Sequence, residues 1–484
     1  MSPTQVCGRE RGWSGVPDAR TWQVVAGSAA VGLTVSFAAV AVAGPWESGQ
    51  RTAERAAAAS RGHHPDSRSA PGSRRRPPAE AAAPPAAKVL TAPAADPGTL
   101  PTQQALAARL APLLRDPALG TLRTGAVIDA ATGKLLYGSG AATPSVPAST
   151  IKIATAAAAL SVLGPDHRIS TTVLATGPHS TVLVGGGDPT LTAAALRTLA
   201  DDTARALTAR GTTATSLGYD LSLYSGPVQH PIGRNNENIA PVTSLMLNEG
   251  RLDTSDHGPA DRSTDPAADT ATAFAKLLRA RGIKVTGTPA RTPAAASGTQ
   301  LAKAASVPLS SLVERMLTNS DNDIAEALAR QTAIAAHLPA SFSGAQQAVA
   351  AALGRLGLPL AGAKFTDGSG LNRADALSAE QLARLLALAA SPRHPQLRPI
   401  LTGLPVAGFS GTLSDRFRGG PASGAGLIRA KTGTLTGVNA ITGTVVAADG
   451  RLLTFAFLTQ GTTSATAAQS ALDRLASALA ACGC

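Results

Sequence analysis

From Ser149 onward the chain reads Ser-Thr-Ile-Lys-Ile-Ala-Thr, then a run of alanines ending in Leu160-Ser161-Val162-Leu163, and Lys152 is its one charged side chain. The pattern predicts an Ala-rich helix opening just after Pro147. A lysine on so apolar a helix is not placed for solvation, so the fold has to bury that helix and find a use for the amine. Ser149 and Lys152 are three residues apart, share a helix face and can approach each other. A serine hydroxyl is a poor nucleophile until a base takes its proton. A desolvated lysine has a lowered pKa and can be that base, and the helix N-terminus favours a developing oxyanion.

Two further short motifs matter only in combination with this one. Ser320-Asp321-Asn322 follows Met316-Leu317-Thr318-Asn319 in a helical region, and in isolation it reads equally well as a helix cap or turn. Lys431-Thr432-Gly433-Thr434 precedes two C-terminal strand patterns and by itself could be a surface hairpin. On a strand edge, however, a lysine and two hydroxyls can bind a carboxylate, and Gly433 lets a ligand backbone come close. S-x-x-K, S-x-N and K-T-G each occur once, in that order, at intervals of 171 and 111 residues (149 to 320, 320 to 431). Together they resemble the motif set of β-lactamases and penicillin-binding proteins, which implies serine acyl transfer.

The chain around them divides by composition. Residues 1–20 carry Arg9, Arg11 and Arg20, and residues 21–44 form an apolar segment with no charge from Trp22 to Gly44. About 20 apolar residues match a bilayer, and the preceding arginines favour a cytoplasmic N-terminus. Ala41-Val42-Ala43 also resembles a signal cleavage site. The expectation is therefore an extracytoplasmic protein, anchored in the cell membrane or secreted if the segment is cleaved. Residues 45–101 turn to Ala, Pro, Ser and Arg, which bury too little apolar surface to order, and read as a disordered tether.

Order is expected from about residue 102. Thr124–Asp129 reads as a strand in a hairpin with Leu135-Leu136-Tyr137, and Val438–Ala447 and Leu452–Leu458 read as strands ahead of a C-terminal helix. One helical pattern runs from Leu309 to Ala335. Strands at both ends with helices between predict an α+β domain whose antiparallel sheet draws on both chain ends. With 3% aromatic residues, alanine must fill much of the core. The net charge of +12 comes with no aromatic-interleaved basic stripe, so nucleic acid is not an expected partner and an anionic membrane or wall polymer is. Cys7, Cys482 and Cys484 form no disulfide framework or metal spacing, and the last two read as incidental thiols in a tail. No metal or organic cofactor is expected.

At these motifs the sequence resembles the low-molecular-mass class C penicillin-binding proteins, D-alanyl-D-alanine carboxypeptidases and endopeptidases, over about Thr102 to Leu475. Leu183-Val184-Gly185-Gly186-Gly187-Asp188-Pro189-Thr190-Leu191 is similar to a family stretch, as is Thr366-Asp367-Gly368-Ser369-Gly370-Leu371-Asn372-Arg373, with Asn372 where serine is usual. Gly411-Thr412-Leu413 also fits. The resemblance implies the transpeptidase fold shared with serine β-lactamases, formed by residues 102–169 and 254–484, with one small β-rich inserted domain at 170–253. It implies that Ser149 is acylated with Lys152 as its base, that Ser320 passes the proton to the leaving D-alanine, and that Asn322 holds the substrate amide carbonyl. Lys431 would add electrostatic support, Thr432 and Thr434 would bind the terminal carboxylate beside Gly433, and the amides of Ser149 and Thr434 would form the oxyanion hole. The implied substrates are peptidoglycan stem peptides ending in D-Ala-D-Ala, with β-lactams as inhibitors.

Two rivals share these motifs. A class A β-lactamase needs a glutamate in an E-x-x-L-N context, whereas Glu326 and Glu380 are followed by Ala-Leu-Ala-Arg and Gln-Leu-Ala-Arg. A degenerate, non-catalytic wall-binding protein would not be expected to keep every motif position.

Overall fold

A computed structural model describes residues 102–234, 236–294, 298–418 and 424–482. The expected anchor and tether, residues 21–101, lie outside the described residues.

Helix α1 (Gln103–Leu114) leads into strands β1 (Leu122–Asp129) and β2 (Leu135–Ser139), and α2 (Lys152–Leu163) follows. A second group of elements comes next: β3 (Ser170–Gly177), β4 (Ser180–Val184), α3 (Ala193–Ala209), β5 (Ala214–Asp220), α4 (Pro266–Arg279), β6 (Lys284–Arg291) and β7 (Thr299–Ala305). The chain then forms α5 (Leu309–Asn319), α6 (Asn322–Ala335), α7 (Phe342–Arg355), α8 (Ala379–Ala390) and the short α9 (Arg398–Gly403). It ends with β8 (Ile428–Leu435), β9 (Val438–Val446), β10 (Leu452–Gln460) and α10 (Ala465–Ala480).

The first sheet has the order β2-β1-β10-β9-β8 and is antiparallel throughout, so the two chain ends meet where β1 pairs with β10. Side chains alternate across a strand, and here the alternation divides the sheet's residues between two cores. Ala126, Ala440, Ala456 and Leu458 face the core that contains α2, α5, α6, α7 and α8, whereas Val127, Ile441, Phe455 and Phe457 face the one made with α1 and α10. Helix α8 lies on the first face against β1 and β10, and the Ala-rich α2 packs behind it among α5, α6 and α7. Cys482, expected as a tail thiol, is buried in the second core and disulfide-bonded.

The second sheet has the order β6-β5-β4-β3-β7. Its β3 pairs antiparallel with β4 and β7, while β4, β5 and β6 run parallel. Leu196, Leu199 and Leu207 of α3 and Phe274 and Leu278 of α4 pack onto Val173, Leu183 and Leu217. Because Ser170 pairs with Ala305, the sheet closes well past residue 253, the limit expected for the insertion. The second parallel crossover, β5–α4–β6, and the return of β7 need that extra length.

The helix expected across 309–335 is broken. Ser320 ends α5 in the left-handed region (φ 60°, ψ 38°), and Asp321 caps α6 by accepting from Ile324 N. Asp favours such an N-cap because its side chain satisfies backbone donors that a helix start leaves free. Among the described residues no helix is long and apolar enough to cross a membrane.

Candidate active site

Ser149 sits in a single helical turn, Ala148–Ile151, that runs straight into α2. Ala148 just before it has φ 47°, an unfavourable value for a residue with a Cβ. Lys152 is fully buried, and its Nζ donates to Ser149 Oγ at 3.0 Å, to Asn322 Oδ1 at 2.7 Å and to the Ser369 carbonyl at 2.7 Å. Burial lowers its pKa to about 8, against the attraction of Asp367, Asp321, Glu326 and Asp323, which hold the proton on.

These three partners set what the amine can do. An ammonium has three N–H donors, and here each has an acceptor. Once neutral, the amine keeps two N–H groups and a lone pair. Amide and peptide oxygens only accept, whereas a hydroxyl can donate instead. The lone pair of a neutral Lys152 is thus directed at the Ser149 hydroxyl, which is the geometry of a base poised over a nucleophile.

The turn between α5 and α6 brings in the second motif. Asn322 is oriented from both ends, its Oδ1 taking the Lys152 bond and its Nδ2 donating to the Asn238 carbonyl at 3.0 Å. Ser320 lines the same cleft as Ser149 and Asn322. Behind this turn Asp323 accepts from Ala240 N at 3.0 Å and pairs with Arg262 at 3.2 Å, while Glu249 is bridged by Arg251 and Arg315. The segment following the second sheet's β5 is in this way strapped to the start of α6.

The third motif lies on β8, at the edge of the first sheet. Lys431 is buried, donates to the Thr432 carbonyl at 2.7 Å, and is held well below its ordinary pKa by burial and by the neighbouring Lys152. Thr432 Oγ1 donates to Thr412 Oγ1 at 2.9 Å, and Gln469 Nε2 donates to Thr434 Oγ1 at 3.4 Å. A Cβ on Gly433 would stand 2.7 Å from the Pro147 carbonyl and 3.3 Å from Ser149 N, so only glycine lets β8 lie this close to the nucleophile turn.

The cleft between these elements has a volume of about 340 Å³, and Ser149, Ser320, Asn322, Thr432 and Thr434 are on its wall. Lys152, Lys431 and Gly433 stand behind that wall. Arg251, Arg262 and Arg416 also face the cleft, each paired with a carboxylate (Glu249, Asp323 and Asp473), a feature no local motif announced. The Ser369 carbonyl went unrecognised as well. Its D-G-S-G setting was visible, but a backbone oxygen leaves no side-chain signal of its own. Two buried acidic groups flank the site, His230–Glu326–Asp367 and Glu249–Asp321–Asp323; each has basic partners of its own, Arg330 in the first and Arg251, Arg262 and Arg315 in the second.

Comparison with known proteins now decides the family. The model of the D-Ala-D-Ala carboxypeptidase 3 (S13) family matches residues 106–260 and 254–481. The chain belongs to the D-Ala-D-Ala carboxypeptidase 3 (S13) family. It is 40% identical over 400 residues to carboxypeptidase DacB of Mycolicibacterium smegmatis, covering 79% of this chain and 85% of that one. It is 31% identical over 435 residues to a D-alanyl-D-alanine carboxypeptidase of an Actinomadura species, covering 70% and 78%. The S13 fold is shared with penicillin binding protein 4 of Haemophilus influenzae, with a TM-score of 0.65 at 22% identity over 77% of this chain and 97% of that one. In this S13 chain the S-x-x-K, S-x-N and K-T-G residues converge on one cleft from α2, the α5–α6 turn and β8.

Proposed function

We propose that this protein is a serine-type D-Ala-D-Ala carboxypeptidase or endopeptidase that works on peptidoglycan peptides through an acyl-enzyme. The observation that carries the reading is the 3.0 Å bond between the buried Lys152 amine and Ser149 Oγ. Neutral Lys152 takes the hydroxyl proton as Ser149 Oγ adds to the carbonyl of the penultimate D-alanine. The tetrahedral oxyanion is held by the backbone amides of Ser149 and Thr434. Asn322 holds the substrate amide carbonyl, and Lys431, when protonated, adds positive potential. As the C–N bond breaks, Ser320 relays the proton to the departing amine, and Thr432 and Thr434 keep that amine's carboxylate in place. Water then adds to the ester and releases the acid and Ser149, its proton passing back through Lys152. A β-lactam enters by the same first step, and its ring-opened product stays on Ser149.

The N-terminal sequence supports an extracytoplasmic location. Residues 21–44 serve as membrane anchor or export signal, and residues 45–101 as a tether that lets the catalytic part reach the wall. That part comprises residues 102–169 and the chain beyond the inserted sheet.

The test is intact-mass measurement of the protein after benzylpenicillin, beside its Ser149→Ala variant. One persistent adduct on the wild type alone supports the reading. Intact penicillin without adduct would overturn it in favour of a degenerate binding protein, and rapid penicillin hydrolysis without adduct would make the protein a β-lactamase. D-alanine release from a pentapeptide then separates carboxypeptidase from endopeptidase action.

A further inference from the structure

The carbonyl of Ser369 is one of two acceptors that direct the Lys152 amine, and it lies in a turn with an unusual set of supports. Glu326 Oε1 accepts from both Gly368 N and Ser369 N at 3.0 Å. Asp367 Oδ1 accepts from Gly370 N at 2.6 Å, and its Oδ2 from Asn372 N at 2.7 Å. Thr155 Oγ1, one turn along α2 from Lys152, donates to the Gly368 carbonyl at 2.7 Å. Two buried carboxylates thus hold the four-residue turn that presents Ser369 O.

His230 completes this set from outside the catalytic core. It lies between β5 and α4, in the stretch of chain interrupting the second sheet, yet its ring is fully buried against Asp367 with Nε2 3.0 Å from Oδ2. Its Nδ1 is 3.2 Å from Ile232 N. A peptide N–H can only donate, so Nδ1 is the acceptor, and Nε2 carries the proton that goes to Asp367. The other groups facing the ring are Glu326, 3.9 Å away, and Phe342 of α7, which meets it edge-on at 5.5 Å. Arg330 balances Glu326 at 3.2 Å and lies over the Phe342 ring. Asp375 adjoins Asp367 and is pushed up in pKa to about 9 by burial and by that neighbour, so Asp367 carries the negative charge of the pair.

We propose that His230 is a positioning residue for acyl transfer: by donating to Asp367 it fixes the Asp367–Gly370 turn, whose Ser369 carbonyl aims the Lys152 amine at Ser149. This rests on the assignment of Ser149 and Lys152 as nucleophile and base. Asp367 heads the charges that hold the proton on Lys152, so the same contact also moderates the basicity of the amine. The segment between β5 and α4 then acts on the reaction as well as on the shape of the cleft.

The experiment compares wild type, His230→Ala and His230→Gln in the full chain, following benzylpenicillin adduct formation by mass from about pH 6 to about pH 10. Failure of the wild type to form the adduct would refute the nucleophile assignment and is read separately. With the wild type active, His230→Ala should still reach one adduct per molecule, at a limiting rate about tenfold lower with unchanged half-saturation. Its acid limb should lie at higher pH, because Asp367 with one donor fewer presents more charge to Lys152. His230→Gln, whose amide reaches to the place of Nε2, should restore both. Wild-type rates and an unmoved acid limb in His230→Ala, with only a lower melting temperature, would overturn the proposal, as would a glutamine variant no better than alanine. If His230→Ala does not fold, His230→Gln against the shorter His230→Asn decides the matter: equal rates and profiles for the two would sink it.

Discussion

Lys152 and Asn322 are 170 residues apart in the chain and 2.7 Å apart in space, the amine donating to the amide oxygen. The contact joins the nucleophile helix to the α5–α6 turn. With the Ser369 carbonyl it leaves Ser149 as the one neighbour from which a neutral amine can accept a proton.

The first prediction concerns pH. Lys152 is a base only when neutral, and burial brings its pKa down to about 8. The penicillin acylation rate should therefore rise about tenfold per pH unit below that value and level off above it. Adduct formation followed by rapid quench at each pH checks this, and a rate that falls as pH rises from 6 to 8, each approximate, would exclude Lys152 as the base.

Asn322→Asp should move that profile in a known direction. A carboxylate in place of the amide oxygen stabilises the ammonium, so the acid limb should shift upward by about one to three pH units. At neutral pH acylation should fall by about tenfold or more. An unshifted limb would mean that the contact does not govern the proton on Lys152.

Thr434→Val removes a hydroxyl on the cleft wall without changing side-chain size. Loss of a hydrogen bond to a charged group costs about 1.5–3 kcal/mol. The KM for a peptide with a free C-terminal carboxylate should rise by about tenfold or more, and discrimination against the C-terminal amide should narrow by the same factor. Equal discrimination in both proteins would remove Thr434 from carboxylate recognition.

Gly370 has φ +83°, and a Cβ there would stand 2.2 Å from the Ala148 carbonyl. Gly370→Ala should destabilise the protein by roughly 2–4 kcal/mol through strain and displacement of the turn that supports the base. Chemical denaturation measures the loss, and an unchanged midpoint would show that the turn relaxes without cost.

Much of this architecture could be read from local pattern. The strand expected at Thr124–Asp129 is β1, and the two expected near the C-terminus are β9 and β10, because apolar side chains on a sheet covered on both sides leave continuous runs. The break at Ser320 was legible only as the cap or turn that Ser320-Asp321-Asn322 allows, because the apolar spacing continues through it. The extent of the second sheet was hidden for a different reason. Its last two strands return after α4, and Ser170 finds Ala305 only once two parallel crossovers have been made.

The sequence by itself determined the chemistry: a hydroxyl and an amine three residues apart on an apolar helix, and two further motifs in a fixed order. Those are properties of side-chain type and helical spacing, which a linear chain carries in full. Tertiary structure alone decided which groups surround that amine. The Ser369 carbonyl, the Asp367 and Glu326 carboxylates and the His230 ring come from segments far apart in the chain, and two of the three groups that Lys152 touches are reached only through folding. A buried amine becomes a base through its desolvation and the oxygens around it, and both exist only after the chain has closed around it.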